Sequence, residues 1–138
     1  MLVDGAGNDE YVATMNMAQG AGHDFTVGFL LDKSGDDRYE APNLSLGAAN
    51  SNGIGIFWDM GGTDTFASNG GTTMGQANYD GNGLRPGILS LGVFLHTGSG
   101  SDVYPAGMTR VGNNKVWIQA LPKEAAPGAL LKGVGVDE

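Results

Sequence analysis

Seven aspartates that recur at a fixed spacing are the residues of this chain most able to do chemistry. They lie in copies of the pattern Asp-x-x-Gly-x-Asp-x-(Tyr or Phe), which begins at Asp4, Asp32 and Asp59, so the copies are 28 and 27 residues apart. A fourth copy keeps its second half as Gly100-Ser101-Asp102-Val103-Tyr104. Carboxylates and turn carbonyls are hard oxygen ligands. The pattern therefore predicts cation sites built from Asp4, Asp9, Asp32, Asp37, Asp59, Asp64 and Asp102.

The same aspartates have a second interpretation that needs no ion. An aspartate in a tight turn accepts hydrogen bonds from backbone N–H groups further along the turn. Stacked copies would place like charges about 5 Å apart, a repulsion on the order of 3 kcal/mol at an effective dielectric constant near 20. Either a calcium ion or screening by water and salt would relieve that repulsion. Both interpretations are compatible with the sequence.

Two of the turns resemble a known calcium-binding repeat. Gly5-Ala6-Gly7-Asn8-Asp9-Glu10-Tyr11 and Gly98-Ser99-Gly100-Ser101-Asp102-Val103-Tyr104 are similar to the Gly-x-Gly-x-Asp-x-U core of RTX-type repeats. The resemblance implies Ca²⁺ as the cofactor, held by turn carbonyls and by aspartates at positions 9, 37, 64 and 102. RTX units follow each other about every nine residues, whereas these copies lie 27–28 residues apart. Only the turn chemistry therefore carries over.

The first aspartate of the fourth copy is replaced by another residue. An alignment without a gap puts Thr97 in its place, and an alignment with one additional turn residue puts His96 there. We prefer the second, because Gly92-Val93-Phe94-Leu95-His96 then matches Gly28-Phe29-Leu30-Leu31-Asp32. His96 is thus a candidate binding residue. Histidine is a poor calcium ligand, and this favours the interpretation as structural turns.

The elements that position these turns are short strands. An apolar run precedes each copy, and a second glycine follows each aromatic residue, at Gly20, Gly47, Gly75 and Gly112. Runs of this length fit strands better than helices. A unit of 27–28 residues cannot bury its apolar face alone, so units must stack. The sequence predicts an all-β fold, a parallel β-helix (solenoid) of about four such coils with a C-terminal cap; an antiparallel sandwich or barrel is the alternative.

Stacking in register would bring equivalent side chains about 4.8 Å apart along ladders. One predicted ladder contains Tyr11, Tyr39, Phe66 and Tyr104, and an inward one contains Leu2, Leu30, Phe57 and Phe94. Residues 1–114 are predicted to hold the repeats, with an insertion loop at 78–87. Residues 115–138 are predicted to form a final strand followed by a cap or tail.

Composition and charge set limits on function. The chain has 138 residues, which suits one domain, and its 25 glycines disfavour helices. The absence of cysteine excludes disulfides, and the net charge of −8 predicts no binding to nucleic acid. No apolar run is long enough for membrane insertion. Residues 1–5 lack the features of a signal peptide, although an exported or cell-surface location is favoured.

The functional expectation is a non-catalytic structural or interaction module. No serine or cysteine lies in a recognisable nucleophile motif, so no catalytic residue is assigned. The module would be a short acidic β-solenoid stabilised by Ca²⁺ in its Asp/Gly turns, and its exposed coil end predicts a homo-oligomer or a fragment of a longer array. The alternative is a carbohydrate-binding or polysaccharide-degrading β-helix, which would use the acidic turns or the 78–87 loop, where Tyr79 and Arg85 could grip a glycan.

Overall fold

The structure is a computed structural model that describes residues 1–68, 70–79 and 83–138. These residues form eleven short strands and no helix, and hence none that is long and apolar enough to cross a membrane. The strands are β1 (Leu2–Val3), β2 (Glu10–Val12), β3 (Gly22–His23), β4 (Val27–Asp32), β5 (Arg38–Ala41), β6 (Ala49–Asn50), β7 (Ile54–Asp59), β8 (Thr65–Ser68), β9 (Leu89–His96), β10 (Val116–Ile118) and β11 (Leu130–Asp137).

The strands pair into three sheets. The main sheet has six strands in the order β1-β4-β7-β9-β11-β10, the second has three in the order β2-β5-β8, and the third contains β3 and β6. Every described strand pairing is parallel except that of β10 with β11. From β1 to β9, consecutive strands therefore belong to different sheets, whereas β9, β10 and β11 all lie in the main sheet.

The prediction of a single parallel β-helix or solenoid of about four coils is wrong. The strands form three separate sheets, and the largest is mixed because β10 folds back antiparallel to β11. The third sheet has only two strands. Within each unit three short strands are expected, the third of the second unit over residues 44–49, but Leu44 and Leu46 have φ angles of 56° and 55°, which no β-strand tolerates. The chain is therefore neither a single β-helix nor a solenoid repeat protein.

Within the sheets, the predicted partners lie side by side. Leu30, Phe57 and Phe94 are paired in register along the main sheet. The Tyr39 ring stacks on Tyr11 at 4.9 Å and on Phe66 at 5.4 Å between ring centroids. The two sets meet in one core, where Phe57 packs edge-on against Tyr39 at 4.8 Å. Aromatic pairs in these geometries stabilise a core beyond the area that they bury.

Two glycines show why the chain needs so many. Gly20 and Gly47 have φ angles of 81° and 74°, and a Cβ at either would lie 2.2 Å from Ile56 O or 1.9 Å from Val93 O. The carbonyl oxygens of Gly20 and Gly47 in turn accept hydrogen bonds from the backbone N–H groups of Ile56 and Val93. These turns therefore pack directly on the backbone of the main sheet, at a distance that excludes any side chain.

Candidate functional site

The C-terminal ends of four parallel strands bring together a row of buried polar side chains. Asp32 of β4, Asp59 of β7, His96 of β9 and Asp137 of β11 follow one another in register. Each is at most 3% exposed. The register confirms the alignment that placed His96 rather than Thr97 in this row. Asp137 was missed, although Gly133-Val134-Gly135-Val136-Asp137 repeats the glycine-to-aspartate spacing of Gly28 to Asp32.

A second row comes from the turns that follow the first row. Asp37, Asp64 and Asp102 are each buried. Each Oδ1 accepts a backbone N–H from the preceding turn, at 2.7 Å, and the donors are Asp9, Asp37 and Asp64 in that order. At the end of the row Asn113 Oδ1 takes the place of the next aspartate and accepts the N–H of Asp102 at 2.7 Å. These aspartates thus act as backbone hydrogen-bond acceptors between turns.

Tyrosine hydroxyls connect the aromatic ladder to the first row. Tyr11 donates to Asp32 Oδ2 at 2.5 Å and Tyr39 donates to Asp59 Oδ2 at 2.6 Å, while Tyr104 donates to Asp137 Oδ2. Burial and the hydrogen-bonded carboxylates raise the pKa of these tyrosines far above its usual range. The hydroxyls therefore stay protonated and serve only as donors.

At one level, meaning one tyrosine with the first-row residue that it reaches, neither the tyrosine nor the aspartate is present. Phe66, which has no hydroxyl, occupies the ladder position, and His96 occupies the first-row position that it would otherwise reach. The imidazole turns instead to the second row, with Nε2 2.8 Å from Asp64 Oδ2. A carboxylate at position 96 would have no hydroxyl donor, so the two changes compensate each other.

Three acidic side chains, including Asp64, face the ring nitrogens of His96. Its Nε2 lies 3.9 Å from Asp59 Oδ1, and its Nδ1 lies 3.4 Å from Asp102 Oδ2. Burial lowers the pKa of His96, but the hydrogen bond to Asp64 and the charges of Asp102, Asp59 and Asp64 together raise it above its ordinary value. Burial also raises the pKa of Asp59 and of Asp102. This region therefore attracts a positive charge.

Among the described residues, aspartates and His96 form three groups with the spacing of metal ligands: Asp59, Asp64 and His96; His96, Asp102 and Asp137; and Asp4, Asp9 and Asp32. Calcium binding, however, gains no support. Most of the predicted calcium ligands have a role that needs no ion, as acceptors of hydrogen bonds from backbone amides or tyrosines. Two of the groups contain histidine, a nitrogen ligand that calcium disfavours. These groups therefore do not support the prediction that the chain binds calcium.

The other predicted binding residues lie elsewhere. Arg85 pairs with Asp24 at 3.2 Å and lies over the Phe25 ring at 4.5 Å. Tyr79 is 36% exposed and makes no hydrogen bond or ring contact with Arg85 among the described residues. The middle of the predicted 78–87 loop, residues 80–82, lies outside the described residues. The structure brings neither residue to the buried rows.

The buried Asp37 predicts how stability depends on pH. Burial raises the pKa of this carboxyl to about 6, and although the Asp9 N–H lowers it, the charges of Asp32, Asp64 and Asp59 raise it further. The folded protein therefore holds a proton that the unfolded chain releases near pH 4. The free energy of unfolding should fall as pH rises from about 4 to 6, by up to about 3 kcal/mol.

Urea unfolding at several pH values in a chelating buffer measures this dependence. Asp37→Asn is the matched variant, because an amide Oδ1 can still accept the Asp9 N–H but cannot ionise. We expect the decline between pH 4 and 6 to be flatter in Asp37→Asn. Identical slopes in the two proteins would contradict a perturbed carboxyl at this position.

The chain matches no protein-family model, and the comparisons with curated proteins and with solved structures return no match either.

Proposed function

We propose that this chain is a non-catalytic structural and interaction module that binds a polypeptide segment along its β1–β2 edge. The observation that carries the proposal is a pair of carboxylates, Asp4 and Asp9, at the start of both buried rows. Deeper in each row the equivalent carboxylates accept a donor from the preceding level. Asp4 Oδ2 and the Asp9 carboxylate accept none from the described residues.

The backbone at this edge supports the same proposal. Within the described part of the chain, β1, β2 and β3 are each paired on one side only, with β4, β5 and β6 respectively. Leu2, Val3 and Val12 are 42%, 51% and 55% exposed. An edge with unpaired N–H and C=O groups and exposed apolar side chains is a template for another strand.

The opposite end of the main sheet is covered by a strand, so the two ends of the sheet differ. β10 covers β11 in antiparallel orientation. Asn113 accepts the last N–H of the second row, and Asn114 donates its N–H to Asp137 Oδ1 at 2.9 Å. The Asn113 side chain thus stands where the next carboxylate of the second row would accept, and the backbone N–H of Asn114 supplies a donor to the last aspartate of the first row. The β1–β2 edge lacks such a closure among the described residues.

The chemistry of the edge selects its partner. By analogy with the deeper levels, Asp4 requires a hydroxyl donor, as Asp59 receives from Tyr39. Asp9 requires a backbone N–H, as Asp64 receives from Asp37. The partner is therefore a strand–turn–strand segment with the pattern Asp-x-x-Gly-x-Asp-x-Tyr. Two copies of this chain meeting at the same edge would instead oppose their acids, which disfavours that arrangement.

A peptide with the sequence of residues 28–41, which includes the strand, the turn and Tyr39, tests the proposal. We expect saturable binding to the full chain by isothermal calorimetry. Asp9→Ala should weaken the binding several-fold, because the peptide then loses an acceptor worth about 1 kcal/mol. Since no hydrogen bond to the Asp9 carboxylate is described, the variant should keep the stability of the parent.

Controls separate specific docking from attraction to any peptide. Glu124→Ala removes an exposed acid of the segment between β10 and β11 and should leave the affinity unchanged. A peptide with Phe in place of Tyr39 should bind several-fold more weakly, and a scrambled peptide should not bind. Equal binding of the scrambled peptide, or no binding of the parent peptide at millimolar concentration, would refute the proposal.

A further inference from the structure

The buried environment of His96 contains an unexplained polar atom. The residue is 0% exposed, and its Nδ1 makes no hydrogen bond among the residues that the structure describes. Burying such an atom without a partner costs about 1–3 kcal/mol. The chain therefore either loses this energy or fills the space beside Nδ1 with something that bonds to it.

The hydrogen bond on the other side of the ring decides what that partner is. Nε2 lies 2.8 Å from Asp64 Oδ2 and donates its proton there, so Nδ1 is the ring atom that is left to hold either a second proton or a metal ion. The polar groups near Nδ1 are the carboxylates of Asp102, at 3.4 Å, and Asp137. A lone pair that faces carboxylate oxygens is repelled by them unless a positive charge lies between them.

We propose that His96 Nδ1, Asp102 and Asp137 bind one divalent transition-metal ion, with zinc as the preferred ion. The three residues come from β9, from the turn before Tyr104 and from β11, and one ligand atom from each lies within 4.8 Å of the others. Two ligands with bonds near 2.1 Å at a tetrahedral centre lie roughly 3.4 Å apart. The distance from Nδ1 to Asp102 Oδ2 is 3.4 Å.

The surrounding hydrogen bonds fit ligands that are already oriented. The Asp64–His96 contact reproduces the carboxylate–histidine–metal arrangement that fixes the ring tautomer in metal sites. Asp102 Oδ1 accepts the N–H of Asp64, while Asp137 accepts the N–H of Asn114 at Oδ1 and the Tyr104 hydroxyl at Oδ2, so Asp137 would bind the ion through a remaining lone pair. Imidazole with carboxylates suits zinc, whereas calcium prefers six to eight oxygens.

Because every ligand is buried, the ion would enter during folding, and its binding would stabilise the fold. The test is to unfold the full chain in denaturant with chelator, refold it with Zn²⁺, Ca²⁺ or no added ion, and remove unbound metal. We expect about one zinc ion per chain by elemental analysis and a raised melting temperature. Calcium should give neither result.

Asp102→Asn is the decisive variant, because it is designed to fold without metal. Its Oδ1 can still accept the N–H of Asp64, while its amide can donate to His96 Nδ1 and supply the missing partner. The variant should melt no lower than the metal-free parent, yet bind zinc at least about tenfold more weakly. Asp4→Asn changes the third acidic group, which has no histidine, and should keep parental zinc binding.

The competing explanation is that a proton occupies the space beside Nδ1. Histidine NMR in the zinc-loaded and metal-free proteins distinguishes the two, since zinc shifts the Nδ1 resonance and a proton produces an imidazolium that zinc does not alter. Retained zinc with a perturbed Nδ1 in the parent supports the site. Absence of retained zinc, or equal retention by the parent and Asp102→Asn, overturns it.

Discussion

Alanine in place of Gly47 is expected to lower the free energy of unfolding by more than about 4 kcal/mol at 25 °C. The added methyl group would lie 1.9 Å from Val93 O and 2.9 Å from Phe57 N, and both neighbours are backbone atoms of the main sheet. The sheet cannot yield, because Val93 N donates to Gly47 O at 3.0 Å and so holds the two segments together.

Gly87→Ala provides a control with the same backbone conformation. Gly87 has a φ angle of 76°, close to the 74° of Gly47, but a Cβ there would meet no atom within 4 Å. Its substitution should cost only the strain of a left-handed alanine, about 1–2 kcal/mol. The difference between the two variants therefore isolates the close packing of turn on sheet.

Urea unfolding followed by circular dichroism and by the fluorescence of Trp58 and Trp117 measures both variants. An equal loss in the two would mean that backbone strain alone explains the need for glycine at these turns. A folded Gly47→Ala protein with the stability of the parent would contradict the close contact with Val93.

The residue ladders were predictable because they depend only on spacing. Asp32 and Asp59 are separated by one repeat of the pattern, 27 residues. Parallel pairing of two strands one repeat apart makes equivalent residues neighbours, whatever the overall arrangement of the sheets. His96 could be assigned to this row from Gly92, four residues before it. Gly92 pairs with Gly55, and at both positions the backbone of a neighbouring turn lies too close for a side chain, so the two glycines must stay in register.

The sheet organisation and the site chemistry were not predictable in this way. Positive φ angles at Leu44 and Leu46 interrupt a predicted strand, yet leucine gives no local signal for that conformation. The reversal at β10 depends on tertiary pairing with β11, which spacing cannot show. The partners of the aspartates depend on side-chain directions, so a row of acids in the sequence fitted calcium ligands and hydrogen-bond acceptors equally well.

The substitution His96→Asp is expected to cost about 3–5 kcal/mol in a chelating buffer. It removes the donor 2.8 Å from the buried Asp64 carboxylate and adds another acid beside Asp59 and Asp137. Phe66, the neighbouring ladder residue, has no hydroxyl to donate to the new carboxylate. Two buried acids would therefore lack the partners that make burial tolerable.

Adding Phe66→Tyr to His96→Asp should recover part of this loss. Phe66 and His96 are the register partners of Tyr39 and Asp59, whose hydroxyl and carboxylate lie 2.6 Å apart, so the double variant recreates that pair one level along. Phe66→Tyr alone should destabilise by about 1–3 kcal/mol, because its hydroxyl would meet the His96 ring in a filled core.

A double-mutant cycle measured by urea unfolding tests the coupling. The double variant should be at least about 2 kcal/mol more stable than the sum of the single losses predicts. Additivity within about 0.5 kcal/mol would show that the two positions act independently. Coupling of the expected sign would mean that histidine suits position 96 because Phe66 has no hydroxyl to donate. Each level of the buried rows would then have to match its own hydrogen-bond acceptors with donors.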